Sequence, residues 1–172
     1  VVATDVESAY PYSESGKFFA QDTGVSLEQV TALGFVAAAT DRIQLLTSVL
    51  VLPHRHPVLA AKMLSTVDVL SKGRLIAGVG VGWMAEEIAL LGGAPFADRA
   101  KASDEYIEAF RELWTAEAPA RHGAHVSFDN LLFAPKSGQS PHAPIWVGGE
   151  AKGALRRAGR LGDGWYPVAA NP

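Results

Sequence analysis

Short apolar runs that alternate with helical segments limit the folds open to this chain. The first run, 43–52, is apolar along most of its length, which is typical of a strand covered on both faces in a parallel sheet. Such strands alternating with helices predict an α/β architecture with right-handed crossovers. The predicted strands are 43–52, 74–82, 145–148 and 165–168, and the predicted helices are 27–39, 57–72, 84–91, 98–114 and 151–161.

The number of strand–helix units predicts a barrel that is present only in part. A complete (β/α)8 TIM barrel needs roughly 250 residues, and this chain holds only about four to five units. We therefore predict one partial TIM-barrel domain over residues 1–172, with a hairpin inserted at about 121–136. The strands expected in that hairpin are 125–128 and 131–134. Because the chain opens at Val1-Val2 and not at a methionine, we expect it to be a fragment.

Local signals mark the ends of two helices. Ser26 followed by Gln29 predicts a capping box, in which the Gln29 side chain reaches back to the backbone N–H of Ser26. Pro57 is well suited to the first position of the next helix. Lys72-Gly73 is expected to end it, because a glycine readily adopts the left-handed conformation of a C-cap.

Composition narrows the classes of partner and chemistry. With 15 Lys and Arg against 18 Asp and Glu, the net charge of −3 argues against binding nucleic acid through a positive field. No apolar stretch reaches the ~18–20 residues of a membrane span, so we expect no membrane partner. The chain has no cysteine, which excludes disulfides, thiolate metal ligands and thiol catalysis and fits a cytoplasmic location.

Glycines concentrate at two predicted strand ends. Gly78, Gly80 and Gly82 alternate along one strand and share a face, and Gly148-Gly149 end another. One interpretation is a bare backbone that a flat ring or a phosphate approaches closely, beside a helix start that favours anions. The other interpretation is glycine selected for tight packing inside the barrel.

Two further segments allow more than one interpretation. His54 and His56 form an H-x-H pair after a strand, as in metal-dependent barrel hydrolases, although the other strand ends supply no further ligand. The more favoured interpretation is that these side chains line a cleft or cap the next helix. The loop 10–16, with Tyr10 and Tyr12, is either a lid over an apolar substrate or an ordinary surface loop.

Several separate motifs, in order over residues 35–168, resemble the luciferase-like monooxygenase superfamily. Within it, the chain is similar to the actinobacterial branch that uses the deazaflavin coenzyme F420 in place of FMN. The motifs are 38–45, 47–53, 64–75, 78–83, 143–149 and 158–165. The resemblance implies an F420-dependent oxidoreductase that transfers hydride to or from the deazaflavin, or an FMN-dependent monooxygenase that activates oxygen.

The resemblance also implies a set of site residues. It places a non-prolyl cis peptide at Ser48-Val49 against the cofactor ring, Val51 beside the ring, Val81, Gly82 and Glu86 near the cofactor head, and Gly148 and Gly149 near its tail. Trp83 is expected to stack on the substrate or wall its pocket, together with Tyr10 and Tyr12.

Some family features lie outside this sequence. The catalytic Asp-His pair of similar proteins would precede Val1, so we assign no catalytic residue. Two alternatives therefore remain, a metal-dependent TIM-barrel hydrolase that uses His54 and His56, and a non-catalytic truncated paralogue. Similar proteins also form homodimers through barrel helices, and the substrate is expected to be a small organic molecule.

Overall fold

The computed structural model describes residues 3–18 and 25–168 of the chain. Its main sheet has five strands, all paired in parallel, in the order β1-β3-β6-β7, with β2 also beside β3. The strands are β1 (Leu45–Leu46), β2 (Leu50–Val51), β3 (Leu75–Gly80), β4 (Arg121–His122), β5 (Ser127–Phe128), β6 (Ile145–Gly148) and β7 (Gly164–Tyr166). The expected parallel α/β arrangement is confirmed, and within the described residues the sheet does not close into a barrel.

Helices pack against this sheet and enclose the core. They are α1 (Gln29–Ala39), α2 (Pro57–Leu70), α3 (Ala85–Leu90), α4 (Arg99–Thr115) and α5 (Lys152–Leu161), with short 3-10 turns at Leu52–His54 and Phe96–Asp98. All six residues of β3 are buried, as its apolar sequence predicts. The largest fully buried side chains come from strands and helices alike and include Leu50, Leu64, Leu75, Ile107, Phe110 and Ile145.

The predicted strand 43–52 is interrupted in the structure. Two short strands, β1 and β2, both pair with β3, and residues 47–49 between them leave the regular ladder. Ile43 is exposed and lies before the first strand. The interruption brings Ser48 and Val49 to the edge of the cavity described below.

The predicted capping box at the start of α1 is wrong. Glu28 caps the helix instead, because its carboxylate accepts the backbone N–H groups of Val30 (3.1 Å) and Thr31 (2.7 Å). The Gln29 side chain turns the other way, and its Nε2 atom donates to the carbonyl oxygen of Val49 at 3.2 Å. Gln29 thus serves a tertiary contact, which local spacing does not reveal.

The start of α2 is as predicted, and its end lies two residues before Lys72. Pro57 is its first residue and Leu70 its last, and both Lys72 (φ 59°) and Gly73 (φ 78°) adopt the left-handed conformation. A single left-handed glycine would be the usual C-cap, whereas here the chain needs two such residues to turn into β3.

The inserted hairpin is present with different strands. β4 pairs antiparallel with β5, and residues 131–134 form no strand. The carboxylate of Glu105 on α4 accepts the backbone N–H groups of Ala124 (3.3 Å), His125 (2.8 Å) and Val126 (3.3 Å). This tertiary anchor holds the turn of the hairpin at 123–126, where the sequence alone suggested a strand. None of the helices in the described ranges is both long enough and apolar enough to span a membrane.

Candidate functional site

One cavity of about 830 Å³ lies where the parallel strands end. Its lining includes Val51, Gly80, Gly148 and Tyr166, which are the last residues of β2, β3, β6 and β7. In (β/α) barrels, active sites lie at this carboxyl-terminal edge of the strands, because the loops that follow the strands meet there. The sheet therefore directs residues from four separate strands to one place.

The Val49 side chain lines the cavity and fits into space left by glycines. A Cβ atom at Gly80 would lie 2.7 Å from Val49 Cγ2, and one at Gly148 would lie 2.6 Å from Val49 Cγ1. Deeper in β3, a Cβ atom at Gly78 would lie 1.9 Å from the carbonyl oxygen of Thr47. At Gly78, Gly80 and Gly148 the tight-packing interpretation therefore holds, because Thr47 and Val49 fill the space beside these glycines. Gly80 and Gly148 also line the cavity, so close packing and a place in the site occur together there.

The segment that carries Val49 is held from two sides. The Ser48–Val49 peptide bond is cis, as the family resemblance implies. Gln29 at the start of α1 holds the Val49 carbonyl, and the Ser48 hydroxyl donates to the hydroxyl of Tyr166 at 3.0 Å. The bulge between β1 and β2 is thus connected both to α1 and to the end of β7.

Four aromatic rings form one wall of the cavity. Trp83, just after β3, contacts Tyr10 with ring centroids 5.2 Å apart and Phe18 at 5.6 Å. Tyr10 also contacts Tyr12 at 5.6 Å and Phe18 at 5.0 Å. Tilted and edge-to-face pairs at such distances are the favoured geometry for aromatic contacts. The structure thus brings together the three predicted pocket residues Trp83, Tyr10 and Tyr12 along the cavity lining.

The loop that carries these tyrosines crosses from the end of β3 to the end of β6. At its far side, the Tyr12 hydroxyl would lie 3.2 Å from a Cβ atom at Gly149, whose φ of +107° suits glycine. Partial burial, aided by the nearby Glu150 carboxylate, raises the pKa of Tyr12. Tyr12 is therefore a neutral hydroxyl group at neutral pH.

Glu86 anchors the near side of this loop and does not line the cavity. Its carboxylate accepts the backbone N–H groups of Glu7 (2.9 Å) and Ser8 (3.0 Å). Hydrogen bonds, that of the Ser8 side chain foremost, lower the pKa of Glu86 to about 2. Only its Oε1 atom is engaged by the loop, and Oε2 has no hydrogen-bond partner among the described residues. The contact of Glu86 with the cofactor head stays a prediction.

Two arginines also line the cavity, and both have partners inside the protein. Arg99 Nε donates to the carbonyl oxygen of Gly82 at 3.2 Å, and its guanidinium carbon lies 3.8 Å from the centroid of the Phe96 ring. Burial lowers the pKa of Arg99. Arg157, buried on α5, forms an ion pair with Asp104. The N-terminus of α5 has no side-chain cap.

The two histidines of the H-x-H pair do not form a metal site. His54 Nε2 lies 3.7 Å from Glu87 Oε2, and burial, with Arg55 adding to it, lowers the pKa of His54 to about 4. His56 stands at the N-cap position of α2 but makes no side-chain cap bond. Among the described residues, no three His, Cys, Asp or Glu side chains are grouped so that they could hold a metal ion. The hydrolase alternative therefore lacks a ligand set in this part of the chain.

The cavity contains most of the predicted site residues and several that the sequence did not indicate. Predicted residues that line it are Ser48, Val49, Val51, Val81, Gly82, Gly148, Gly149, Trp83, Tyr10 and Tyr12. Phe18, Arg99, Arg157 and Tyr166 were not predicted. Tyr166 could have been predicted from the sequence. It is the second residue of the predicted strand 165–168, and the cavity lies where the strands end. Arg99 and Arg157 are helical residues for which the sequence offers no comparable signal.

Sequence comparisons place the chain among proteins of about twice its length. An uncharacterised protein of Mycobacterium tuberculosis is 38% identical over 142 residues, which are 81% of this chain and 49% of that protein. The FMNH(2)-dependent dimethylsulfone monooxygenase of Pseudomonas putida is 34% identical over 147 residues, covering 84% of this chain and 40% of that protein. The chain thus spans half or less of the length of these curated relatives.

Solved structures show the same fold. The monooxygenase RslO1 from Streptomyces bottropensis superposes with a TM-score of 0.76 at 29% identity, over 84% of this chain and 44% of that one. An F420-dependent secondary alcohol dehydrogenase superposes with a TM-score of 0.74 at 23% identity, over the same shares. These likenesses, with the parallel sheet, confirm the prediction of a partial (β/α)8 barrel. The sequence model of the luciferase-like monooxygenases matches residues 9–172, from the aromatic loop through the last strand, and the chain belongs to that family.

Proposed function

We propose that this chain is part of an oxidoreductase that binds coenzyme F420 in the cavity and exchanges a hydride with a small organic substrate. FMN is the alternative cofactor, with oxygen as a second substrate in a monooxygenase reaction. The observation that carries the proposal is the convergence of four parallel strand ends on one cavity of about 830 Å³. A cavity of this size is in the range of cofactor and substrate sites.

The residues around the cavity fit the two ends of such a cofactor. Val49, Val51 and Gly148 offer an apolar surface for a planar ring. Gly149 and Gly153 lie beside the start of α5, where backbone N–H groups without a side-chain cap favour an anionic group such as a phosphate. A Cβ atom at Gly153 would meet nothing within 4 Å, so this corner has room for a ligand.

The cofactor, when bound, supplies the redox chemistry, and the protein supplies orientation and a controlled environment. Val49 is the packing surface for the ring and is itself held in place by Gln29. Tyr10 and Trp83 pack edge to face along the cavity lining and offer ring surfaces to a bound molecule. We assign the proton-transfer role of the family's Asp-His pair to no residue of this sequence.

The choice between the two cofactors rests on different observations. The motifs resemble the F420-dependent branch of the family, whereas the relative from Pseudomonas putida is named for its dependence on FMNH(2). The experiment that tests the proposal therefore titrates the protein with F420 and with FMN and follows absorbance and fluorescence. We expect saturable binding of one of them, F420 in the first place.

A matched pair of variants tests where the anionic end of the cofactor binds. Gly153→Glu places a carboxylate at the N-terminus of α5 beside the cavity, and Gly159→Glu places one on the same helix outside it. Both positions have space for a side chain. We expect Gly153→Glu to weaken cofactor binding at least about tenfold through charge repulsion, and Gly159→Glu to leave it unchanged. Equal effects would contradict the placement, and no binding of either cofactor would favour the non-catalytic alternative.

A further inference from the structure

The hydroxyl of Tyr166 is available to a ligand in the cavity. Tyr166 ends β7, and its carbonyl oxygen accepts the N–H of Gly149 at 3.1 Å, so its backbone is fixed. Its phenolic oxygen accepts the Ser48 hydroxyl at 3.0 Å. Because the phenol is the acceptor in that bond, its own proton is free to be donated. Within the described ranges, no second hydrogen bond of this hydroxyl is formed by the protein.

Away from the N-terminus of α5, which the proposed function assigns to the anionic end of the cofactor, the cavity lining holds few charged groups. Among the described residues that line the cavity there is no Asp or Glu. Arg157 is paired with Asp104, and Arg99 donates to backbone carbonyls of Gly82 and Phe96. The aromatic wall described above provides rings on which a flat apolar molecule can pack.

We propose that the substrate is an uncharged aromatic compound with a carbonyl oxygen, and that Tyr166 donates a hydrogen bond to this oxygen. Ser48 is a positioning residue, since it holds the phenol through the bond that it donates. This inference rests on the proposed function and names its substrate class. In the proposed reaction the reduced cofactor would give hydride to the carbonyl carbon, and the resulting alkoxide oxygen would take a proton from solvent. A hydrogen bond from Tyr166 stabilises the negative charge that develops on this oxygen, which is how Tyr166 would act as a catalytic residue.

The test compares two probes of similar shape in the intact protein without cofactor. 2-Acetylnaphthalene carries the carbonyl oxygen, and 2-isopropylnaphthalene lacks it. By calorimetry, we expect the wild-type protein to bind the ketone about five- to tenfold more tightly than the hydrocarbon, as one neutral hydrogen bond predicts. 2-Naphthoate is expected to bind more weakly than the ketone next to Tyr166, because a single hydroxyl donor does not compensate the hydration that a carboxylate loses there.

Three variants separate a hydrogen bond from a general effect on packing. Tyr166→Phe should remove the preference for the ketone, and Ser48→Ala should reduce it. Tyr106→Phe is the matched control, because Tyr106 is buried on α4 outside the cavity, and it should keep the preference. The carbonyl 13C signal of labelled 2-acetylnaphthalene should move downfield on binding to the wild-type protein and not on binding to Tyr166→Phe.

Equal affinity of the wild-type protein for both probes, or a Tyr166→Phe variant that keeps the ketone preference and the 13C shift, would overturn the inference. Failure to bind either probe would overturn it as well. The cofactor titrations remain an independent measurement, because the probes are studied without cofactor. A protein that binds F420 or FMN but shows no ketone preference would retain the proposed function and lose only the substrate class.

Discussion

The carboxylate of Glu86 fixes the loop that forms the aromatic wall. The stabilisation that this contact supplies depends on pH. Its pKa of about 2 lies below the ordinary value of 4.5, because hydrogen bonds from Ser8 and the N–H of Glu7 favour the charged form. A lowered pKa means a stabilising contribution that is fully present above about pH 4.5 and is lost as the pH falls towards 2. The loop should therefore stay anchored through mildly acidic conditions.

We expect the side-chain carboxyl 13C signal of Glu86 to stay unchanged from neutral pH down to about pH 3.5, well below the ordinary midpoint of a Glu side chain. In Glu86→Gln, which cannot carry the charge, amide hydrogen exchange at Glu7 and Ser8 should be faster at pH 6. A midpoint near 4.5 for the Glu86 signal, or equal exchange in the variant, would show that the carboxylate does not hold the loop.

Among individual strands and helices, glycine has opposite consequences in β3 and α1. A Cβ atom at Gly78 in β3 would lie 1.9 Å from the Thr47 carbonyl oxygen, which is backbone and cannot move aside easily. A Cβ atom at Gly34 in α1 would meet nothing within 4 Å. The two positions share the residue type, and only the neighbouring strand makes glycine necessary at one of them.

Gly78→Ala should therefore destabilise the protein by on the order of 3 kcal/mol, the upper range for overpacking in a core. Gly34→Ala should stabilise it by about 0.5–1 kcal/mol, because alanine is the better helix former. Urea unfolding followed by circular dichroism measures both changes. The explanation of the glycine pattern fails if the two variants have similar free energies of unfolding.

The chain as a whole presents surfaces that favour association. In the described ranges, β1 and β7 are the ends of the strand order, and such edges can pair with another chain. Apolar side chains on and before α1 are also highly exposed, with Phe35 78% and Leu27 84% accessible. The family resemblance predicts a homodimer through barrel helices, and these surfaces are where we expect it.

We expect the 172-residue chain to show a concentration-dependent mass above that of the monomer in size-exclusion chromatography with light scattering. Phe35→Lys should lower that mass, because it places a charge on the apolar surface of α1. Leu132→Lys is the matched control, since Leu132 is 89% exposed but lies alone in the loop after the hairpin. A monomer at all concentrations, or equal effects of both variants, would contradict this expectation.

The parallel α/β architecture and the positions of its elements could be predicted from the sequence, because the spacing of apolar residues and the length of apolar runs are local properties. β3 lies within the predicted strand 74–82, α2 begins at Pro57 as predicted, and α4 covers nearly all of the predicted helix 98–114. The glycines, the aromatic residues 10 and 12 and Trp83 were also recognised as unusual from their positions alone. Their lining of one cavity follows from parallel strands, whose carboxyl ends share one edge of a sheet.

Tertiary structure decided what these residues contact. Gln29 bonds to Val49 and not to its own helix cap, and Glu86 holds a loop that lies 78 and 79 residues earlier in the chain. Val49 packs against Gly80 and Gly148, a contact between separate segments that the spacing of the glycines does not reveal. Sequence patterns record the conformation and burial that a residue favours, whereas the partner of a polar group depends on which distant segment the fold brings within hydrogen-bond distance.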